Sequence, residues 1–384
     1  MAGRAIGPIG SNGQDMTGKG HQIFVDELAR FAAGRADPRV TAVAERAAAP
    51  LRVVVRGRRG VGRSTVARAL DRAGTASGIS ATTRVTASAE AADIVVYVTT
   101  EVVKPEDAEA IAAAGRPVVA VLNKADLAGS LSGRAGAGPI AAARTRCADL
   151  SALAGVPMEP MSGLLAIAAL EDLDAGLWAA LGALAADPGG ATSLEGSFSG
   201  FLAASIPVPA DVRLRLLDAL DLFGTALGIA AVRQGRTPAQ VRALLRRISG
   251  VDAVLNKISV IGAEVRYQRV LQAVAELEAL AVSHDEIAQA IGGFLSRDDT
   301  VVARMMAALD LAEAAGLDPV NPDPVNCDRD DPAAHLPRAV RWQRYSRGRL
   351  GPVSDLHRAC GADIGRGSLR LWSQACGSLP GDPW

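Results

Sequence analysis

Leu51-Arg52-Val53-Val54-Val55-Arg56-Gly57-Arg58-Arg59-Gly60-Val61-Gly62-Arg63-Ser64-Thr65 decides the fold. Leu51 to Val55 is an apolar run of strand length, and Ser64 to Arg72 carries Val66, Ala69 and Leu70 on one helical face. Between them lies a glycine-rich turn. Gly57, Gly60 and Gly62 let backbone N–H groups turn inward, and the helix N-terminus adds positive potential, so the turn suits a phosphate. A Gly-x-x-x-x-Gly-Lys-Ser/Thr loop built this way uses its Lys on the outer phosphates and its hydroxyl on magnesium. Ser64 and Thr65 supply hydroxyls here. Arg63 stands in the Lys position and keeps the charge, but its planar fork is not equivalent to a compact ammonium.

The pattern continues outward from this turn as strands alternating with helices. Asp93 to Val98 and Val118 to Leu122 are apolar runs of strand length, and Pro157 to Pro160 is a short candidate strand. Lys104-Pro105-Glu106-Asp107 opens a helix, because Pro suits the first turn and acids suit the N-terminus. Pro139 to Leu153 and Leu164 to Ala186 are helical, the second with a break near Ala175-Gly176. Alternation of this kind predicts an α/β fold with a parallel sheet covered on both faces.

Asn123-Lys124-Ala125-Asp126 follows directly on the run Val118 to Leu122. A carboxylate at the end of a buried strand can accept from the N1–H and exocyclic amine of guanine. Adenine offers neither donor there and would leave the acid unpaired, which gives the discrimination. Lys124 would lie along the base and Asn123 would brace the phosphate loop. Asn256-Lys257 repeats half of the tetrapeptide without the Asp, among helices, and is read as structural.

With both segments in place, the chain resembles the translation-factor-related P-loop GTPases, in particular the Era/TrmE-like branch. The resemblance covers about residues 51–187. Its best stretch runs from Ala92-Asp93-Ile94-Val95-Val96-Tyr97-Val98 to Asp126. Pro160-Met161-Ser162-Gly163-Leu164 resembles the loop that supports guanine, with Ser162 in the Ser role. Ile79-Ser80-Ala81-Thr82-Thr83-Arg84 resembles the first switch, which would make Thr83, or else Thr82, a magnesium ligand with Ser64; the threonine pair also reads as an ordinary strand start. The resemblance implies bound GTP or GDP with magnesium, held by Gly57, Gly60, Gly62, Arg63, Ser64, Thr65, Asn123, Lys124, Asp126 and Ser162. Active members carry Asp-x-x-Gly on the next strand. Between Asp71 and Asp93 this chain has no Asp, and only eight residues separate Arg84 from Asp93. Asp93 opens a strand without a Gly three residues on and is read as structural. Hydrolysis by positioning and charge stabilisation lacks the segment that organises water. Catalytic residues are unassigned. Arg58 or Arg59 could serve as an arginine finger or be solvated loop charges.

The remainder reads as helix. Residues 1–20 are expected to be a disordered leader and 21–50 a helical N-terminal segment broken at Asp37-Pro38. A shortened P-loop domain over 51–187 is followed by a helical bundle over 195–317. A linker over 318–332 and a basic helical tail over 333–384 close the chain. Thr237-Pro238-Ala239-Gln240 and Ser283-His284-Asp285-Glu286 are capping boxes, and Ser296 is a third cap. From Arg338 to Arg370 eight Arg stand against Asp355 and Asp363, with Trp342 and Tyr345 interleaved. Such a stretch fits RNA or an anionic membrane surface, and equally a helix docked with solvated arginines. The helical domain has a weak resemblance to that of actinobacterial dynamin-like GTPases.

Acidic and basic residues balance at 41 each, which excludes a global pull toward nucleic acid or membrane. No apolar run is long enough to span a bilayer and no signal peptide is visible. Four widely spaced cysteines lack metal-ligand spacing and suit reduced thiols in the cytoplasm. The sum is a cytoplasmic guanine-nucleotide-binding protein of regulatory type, weak or inactive in hydrolysis, with a protein partner or second copy. Two other readings stand beside it. One is an active GTPase completed by a partner, and the other is a nucleotide-free scaffold that acts through its helices.

Overall fold

The computed structural model describes residues 19–83, 92–129, 138–194, 197–317, 332–348 and 353–377. The expected leader (apart from Lys19 and Gly20), the expected linker (apart from Pro332) and Arg84 lie outside the described residues. The chain begins with α1 (Lys19–Arg35) and α2 (Pro38–Ala48). An α/β stretch follows: β1 (Leu51–Gly57), α3 (Arg63–Gly74), β2 (Ile79–Thr82), β3 (Ile94–Thr99), α4 (Pro105–Ala112), β4 (Val118–Asn123), α5 (Pro139–Ala154) and β5 (Met158–Met161). The next helices are α6 (Gly163–Leu170), α7 (Ala175–Ala186), α8 (Pro188–Thr192), α9 (Phe198–Ala203), α10 (Ala210–Arg233) and α11 (Pro238–Ser249). The last are α12 (Val251–Ile261), α13 (Ala263–Ser283), α14 (Asp285–Ser296), α15 (Asp298–Ala314), α16 (Pro332–Ser346) and α17 (Asp355–Gly377).

Two compact units emerge, and they divide the chain differently from the expected boundaries. One comprises residues 50–258, and the other joins residues 1–49 to 259–384. The first holds a five-stranded sheet in the order β2-β1-β3-β4-β5. Every pairing is parallel, with Val53 opposite Ile94, Val95 opposite Val118 and Ala120 opposite Met158. All six residues of β3 and of β4 are buried, as strands covered on both faces must be. Asp93 ties β1 to β3, because its carboxylate accepts from the Arg52 amide at 2.8 Å. Its role is structural, as the sequence suggested.

Ile79–Thr82, for which the sequence offered a switch or a strand start, is an edge strand. It pairs directly with β1 in parallel, so its alternating apolar residues Ile79 and Ala81 are spent on the sheet.

Helices α6 to α11 belong to the sheet unit and not to a separate bundle. They share one core, built on Leu165, Leu181, Leu184, Phe201, Leu217 and Leu245. Gly224 on α10 admits Leu165, since a Cβ there would lie 2.4 Å from Leu165 Cδ2. The end of α11 also holds the end of β5, where the Ser162 amide donates to the Ser249 carbonyl at 2.8 Å.

In the second unit α1 and α2 share a core with α13 to α17. Phe31 stacks on Phe294 at 4.4 Å, and Trp342, Cys360 and Ile364 of the expected tail are buried in this core. Asp363 is buried and accepts from Tyr267 Oη at 3.0 Å, Arg304 Nη2 at 2.8 Å and Arg366 Nη1 at 2.9 Å. Arg370 pairs with Asp298, Arg358 with Asp355, and Arg338 is buried. The arginines of this stretch are therefore not a free basic surface as a set.

Caps were legible only in part. Thr237 and Gln240 form the expected box. The other two caps are corrected. Helix α14 is capped at His284 without a side-chain bond, because the Ser283 hydroxyl donates back to Ala279. Helix α15 is capped at Arg297, and Ser296 ends α14. Among the described residues no helix is long and apolar enough to cross a membrane.

His21 lies in the first turn of α1, and its amide donates to Asp310 Oδ2 at 3.1 Å. Burial, with help from Arg266 and Arg269, pushes its imidazole down from 6.5 to about 4. The unfolded chain therefore takes up a proton at higher pH than the folded one. Stability should be full above about pH 6.5, fall by up to about 3 kcal/mol as the pH drops to about 4, and then level. Denaturant unfolding at stepped pH, compared with His21→Gln, checks this: the variant should lose that slope.

Candidate functional site

The C-terminal ends of parallel strands are where an open α/β sheet receives ligands, above all where the strand order reverses. Here it reverses at β1, which has β2 on one side and β3 on the other. The glycine turn leaves β1 at that place. Gly57 has φ +141°, and a Cβ on it would lie 2.2 Å from the Val98 carbonyl, so the turn can pass β3 only as glycine. Gly62 caps α3 at φ +84° in the left-handed region, and a Cβ there would meet Asn123 Nδ2 at 2.4 Å. Gly60 is also left-handed.

Arg63, Ser64 and Thr65 form the first turn of α3, where backbone N–H groups have no partner within the helix. Arg63 and Ser64 are exposed and Thr65 is half-buried. Such a turn can receive an anion at the helix N-terminus.

Asn123 is the last residue of β4 and is buried. Its Nδ2 donates to the Val61 carbonyl at 2.8 Å, and its Oδ1 accepts from the Gly163 amide at 2.9 Å. One side-chain amide thus joins the glycine turn, the end of β4 and the loop after β5.

Lys124 follows in the left-handed region at φ +59° and is exposed. That reversal carries the chain into the short turn of Ala125 to Leu127, where Asp126 is buried. The Ser162 hydroxyl hydrogen-bonds the Asp126 carboxylate. Burial raises the Asp126 carboxyl above its ordinary value, against the pull of Ser162 and with a further push from Asp221.

The structure thus brings Gly57, Gly60, Gly62, Arg63, Ser64, Thr65, Asn123, Lys124, Asp126 and Ser162 to one edge of the sheet. Thr83 lies at the same edge, half-buried just beyond β2. Ser64 and Thr83, the expected magnesium ligands, bring hydroxyls alone. Among the described residues no group of three or more His, Cys, Asp or Glu is placed to hold a metal.

Three features escaped the sequence reading. Arg58 is bound to Asp107, its Nε lying 2.9 Å from Oδ1 and 3.1 Å from Oδ2. This contact takes it out of service as a mobile finger, while Arg59 is exposed. The cap residue Asp107 also accepts from Tyr97 Oη at 2.9 Å. Its position in the first turn of α4 was legible, but its partner 49 residues upstream was not. Asp221 interrupts α10 with φ +58° and ψ −176°, a conformation sequence does not signal for an Asp. A cavity of about 120 Å³ opens beside Lys124, Leu127 and Arg146, but neither Asp126 nor Ser162 lines it.

Comparison with family models, curated proteins and solved structures finds no match, so the site is read from its own geometry.

Asn123→Ala removes both of its bonds and orphans a buried carbonyl and a buried amide. A loss of about 2–4 kcal/mol is expected. It should appear as a lower denaturant midpoint at unchanged slope.

Proposed function

We propose that this chain binds guanine nucleotides, GTP and GDP, at the C-terminal edge of its sheet and hydrolyses GTP weakly or not at all. One observation carries the reading. The Asn123 amide locks together the glycine turn and the loop that positions Ser162 against Asp126. A phosphate site and a base site are then held at fixed separation. The turn from Gly57 to Thr65 suits phosphate, because glycines at 57 and 62 let it run tight against the Val98 carbonyl and the Asn123 amide into the N-terminus of α3, whose first-turn amides have no partner within the helix. Arg63 at its first position supplies charge.

Asp126 accepts from guanine N1–H and the exocyclic amine, with Ser162 holding the carboxylate in orientation. Its burial is what gives discrimination, since an adenine would leave the acid desolvated and unpaired. Magnesium, when bound with nucleotide, would neutralise phosphate charge. Ser64 would be its protein ligand, with Thr83 at the same sheet edge. No Asp-x-x-Gly lies between Asp71 and the end of β3, where a second switch would begin, and this supports weak hydrolysis. The buried thiols of Cys147 and Cys360 suit a reducing, cytoplasmic compartment; burial pushes Cys147 up to about 12.

Calorimetry with GDP, GTP and ATP tests the proposal. GDP and GTP should bind and ATP should not, and Asp126→Ala should weaken GDP by about 100-fold. No heat at about 100 μM GDP would reject it in favour of a scaffold. Magnesium-dependent turnover near one per minute, lost in Ser64→Ala, would reject the claim of weak hydrolysis.

The pH dependence has a definite sign. Guanine needs the carboxylate of Asp126, whose free-state value is raised, and binding must displace its proton. GDP affinity should therefore fall on acidification at a higher pH than an ordinary aspartate would give. Titration of the dissociation constant against pH reads this directly.

A further inference from the structure

Asp107 has no exposed surface, yet four polar contacts converge on it. Oδ1 accepts from Arg58 Nε at 2.9 Å and Tyr97 Oη at 2.9 Å. Oδ2 accepts from Arg58 Nε at 3.1 Å and the Lys104 amide at 2.9 Å. Burial alone would raise this carboxyl. The Lys104 amide, Arg58 and Tyr97 outweigh it and hold Asp107 below the usual carboxylate range. A buried carboxylate with all four contacts filled is a rigid anchor.

What it anchors is the second residue of the glycine turn. The contact uses Nε alone. Arg58 Nη1 and Nη2 have no hydrogen-bond partner among the described residues, and the side chain is 30% exposed. Arg58 follows Gly57, whose backbone is pressed against β3, and it precedes Val61, whose carbonyl is held by Asn123. The guanidinium is thus fixed at one edge and open at the other, on the turn whose amides surround the anion position. A cation held in this way has lost its rotamer freedom before a ligand arrives.

We propose that Arg58 is a second cationic contact for the phosphates of the bound nucleotide, with Asp107 and Tyr97 as the residues that position it. The inference rests on the reading of this edge as a nucleotide site. It also gives Arg63 a partner in charge: two forked guanidinium groups would share the phosphates where a single ammonium is missing. Tyr97 carries no phosphate contact of its own. Its hydroxyl, pushed up to about 12 by burial and by Asp107, stays protonated and donates across the neutral range.

The test compares GDP with GMP, because the base contacts are common to both and the outer phosphate is not. Calorimetry first establishes GDP affinity of the full chain; its absence overturns the nucleotide site itself, and this inference with it. Given binding, Arg58→Ala should lower GDP affinity by about tenfold or more and GMP affinity by less than about threefold. Arg58→Lys should not restore the ratio, since an ammonium lacks the two-edged geometry. Asp107→Asn leaves Arg58 charged but loosens it, and should lower the GDP-to-GMP preference by about threefold to tenfold. Should that variant lose its folding transition, Tyr97→Phe carries the positioning test, with a smaller shift in the same ratio. Equal losses for GDP and GMP, or an unchanged ratio in Arg58→Ala, would overturn the phosphate contact. A ratio moved by Arg58→Ala but by neither Asp107→Asn nor Tyr97→Phe would overturn the positioning role.

Discussion

The side-chain amide of Asn123 is the polar contact that ties together the loops at the C-terminal edge of the sheet. An amide offers a donor and an acceptor on opposite sides of one plane, and here both are used on backbone groups of different loops. Three loops meet at the C-terminal edge of β1, β4 and β5, and none of them is held by ladder hydrogen bonds. Asn123 supplies the missing tie. Gly62 yields room for it, since any side chain there would strike the amide at 2.4 Å. A mutual constraint follows: the amide fixes the turn, and the absence of a side chain in the turn admits the amide.

Within each unit the buried carboxylates differ by environment. Asp107 and Asp363 are surrounded by donors, and those around Asp107 hold it below the usual carboxylate range. Each organises a cluster, the first at the glycine turn and the second where Tyr267 of α13, Arg304 of α15 and α17 come together. Buried charges are tolerated when they are paired and their remaining lone pairs are filled. Asp126 differs. It has Ser162 and its own local amide, and among the described residues no cation is hydrogen-bonded to it. A carboxylate desolvated and short of donors is one that gains most from a ligand that brings donors, as guanine does.

The strand-turn-helix order, the parallel sheet and the apolar strands β1, β3 and β4 were legible from residues 51 to 122, because runs buried on both faces need no alternation and no partner to be recognised. Strand β2 was left open between a switch and a strand start. Four residues of Ile-Ser-Ala-Thr carry too little pattern to separate an edge strand from a loop. The helices were found but their grouping was not. Val241 and Leu245 show an apolar face whether they meet Leu165 or a distant bundle, and only the packing chooses. In the same way Phe24 and Leu28 give no sign that they will share a core with Leu277 and Ile364.

By itself the sequence determined the kinds of element, the glycines that a tight turn requires and the presence of Asn123 and Asp126 after a buried strand. These are properties of local stereochemistry and of apolar period, which are written residue by residue. Only the tertiary structure decided which loops meet, which helices share a core, and that Arg58 is held by an aspartate 49 residues away. The physical reason is that a side chain's polarity is local, while its partner is set by chain topology and close packing, and those depend on every other residue at once.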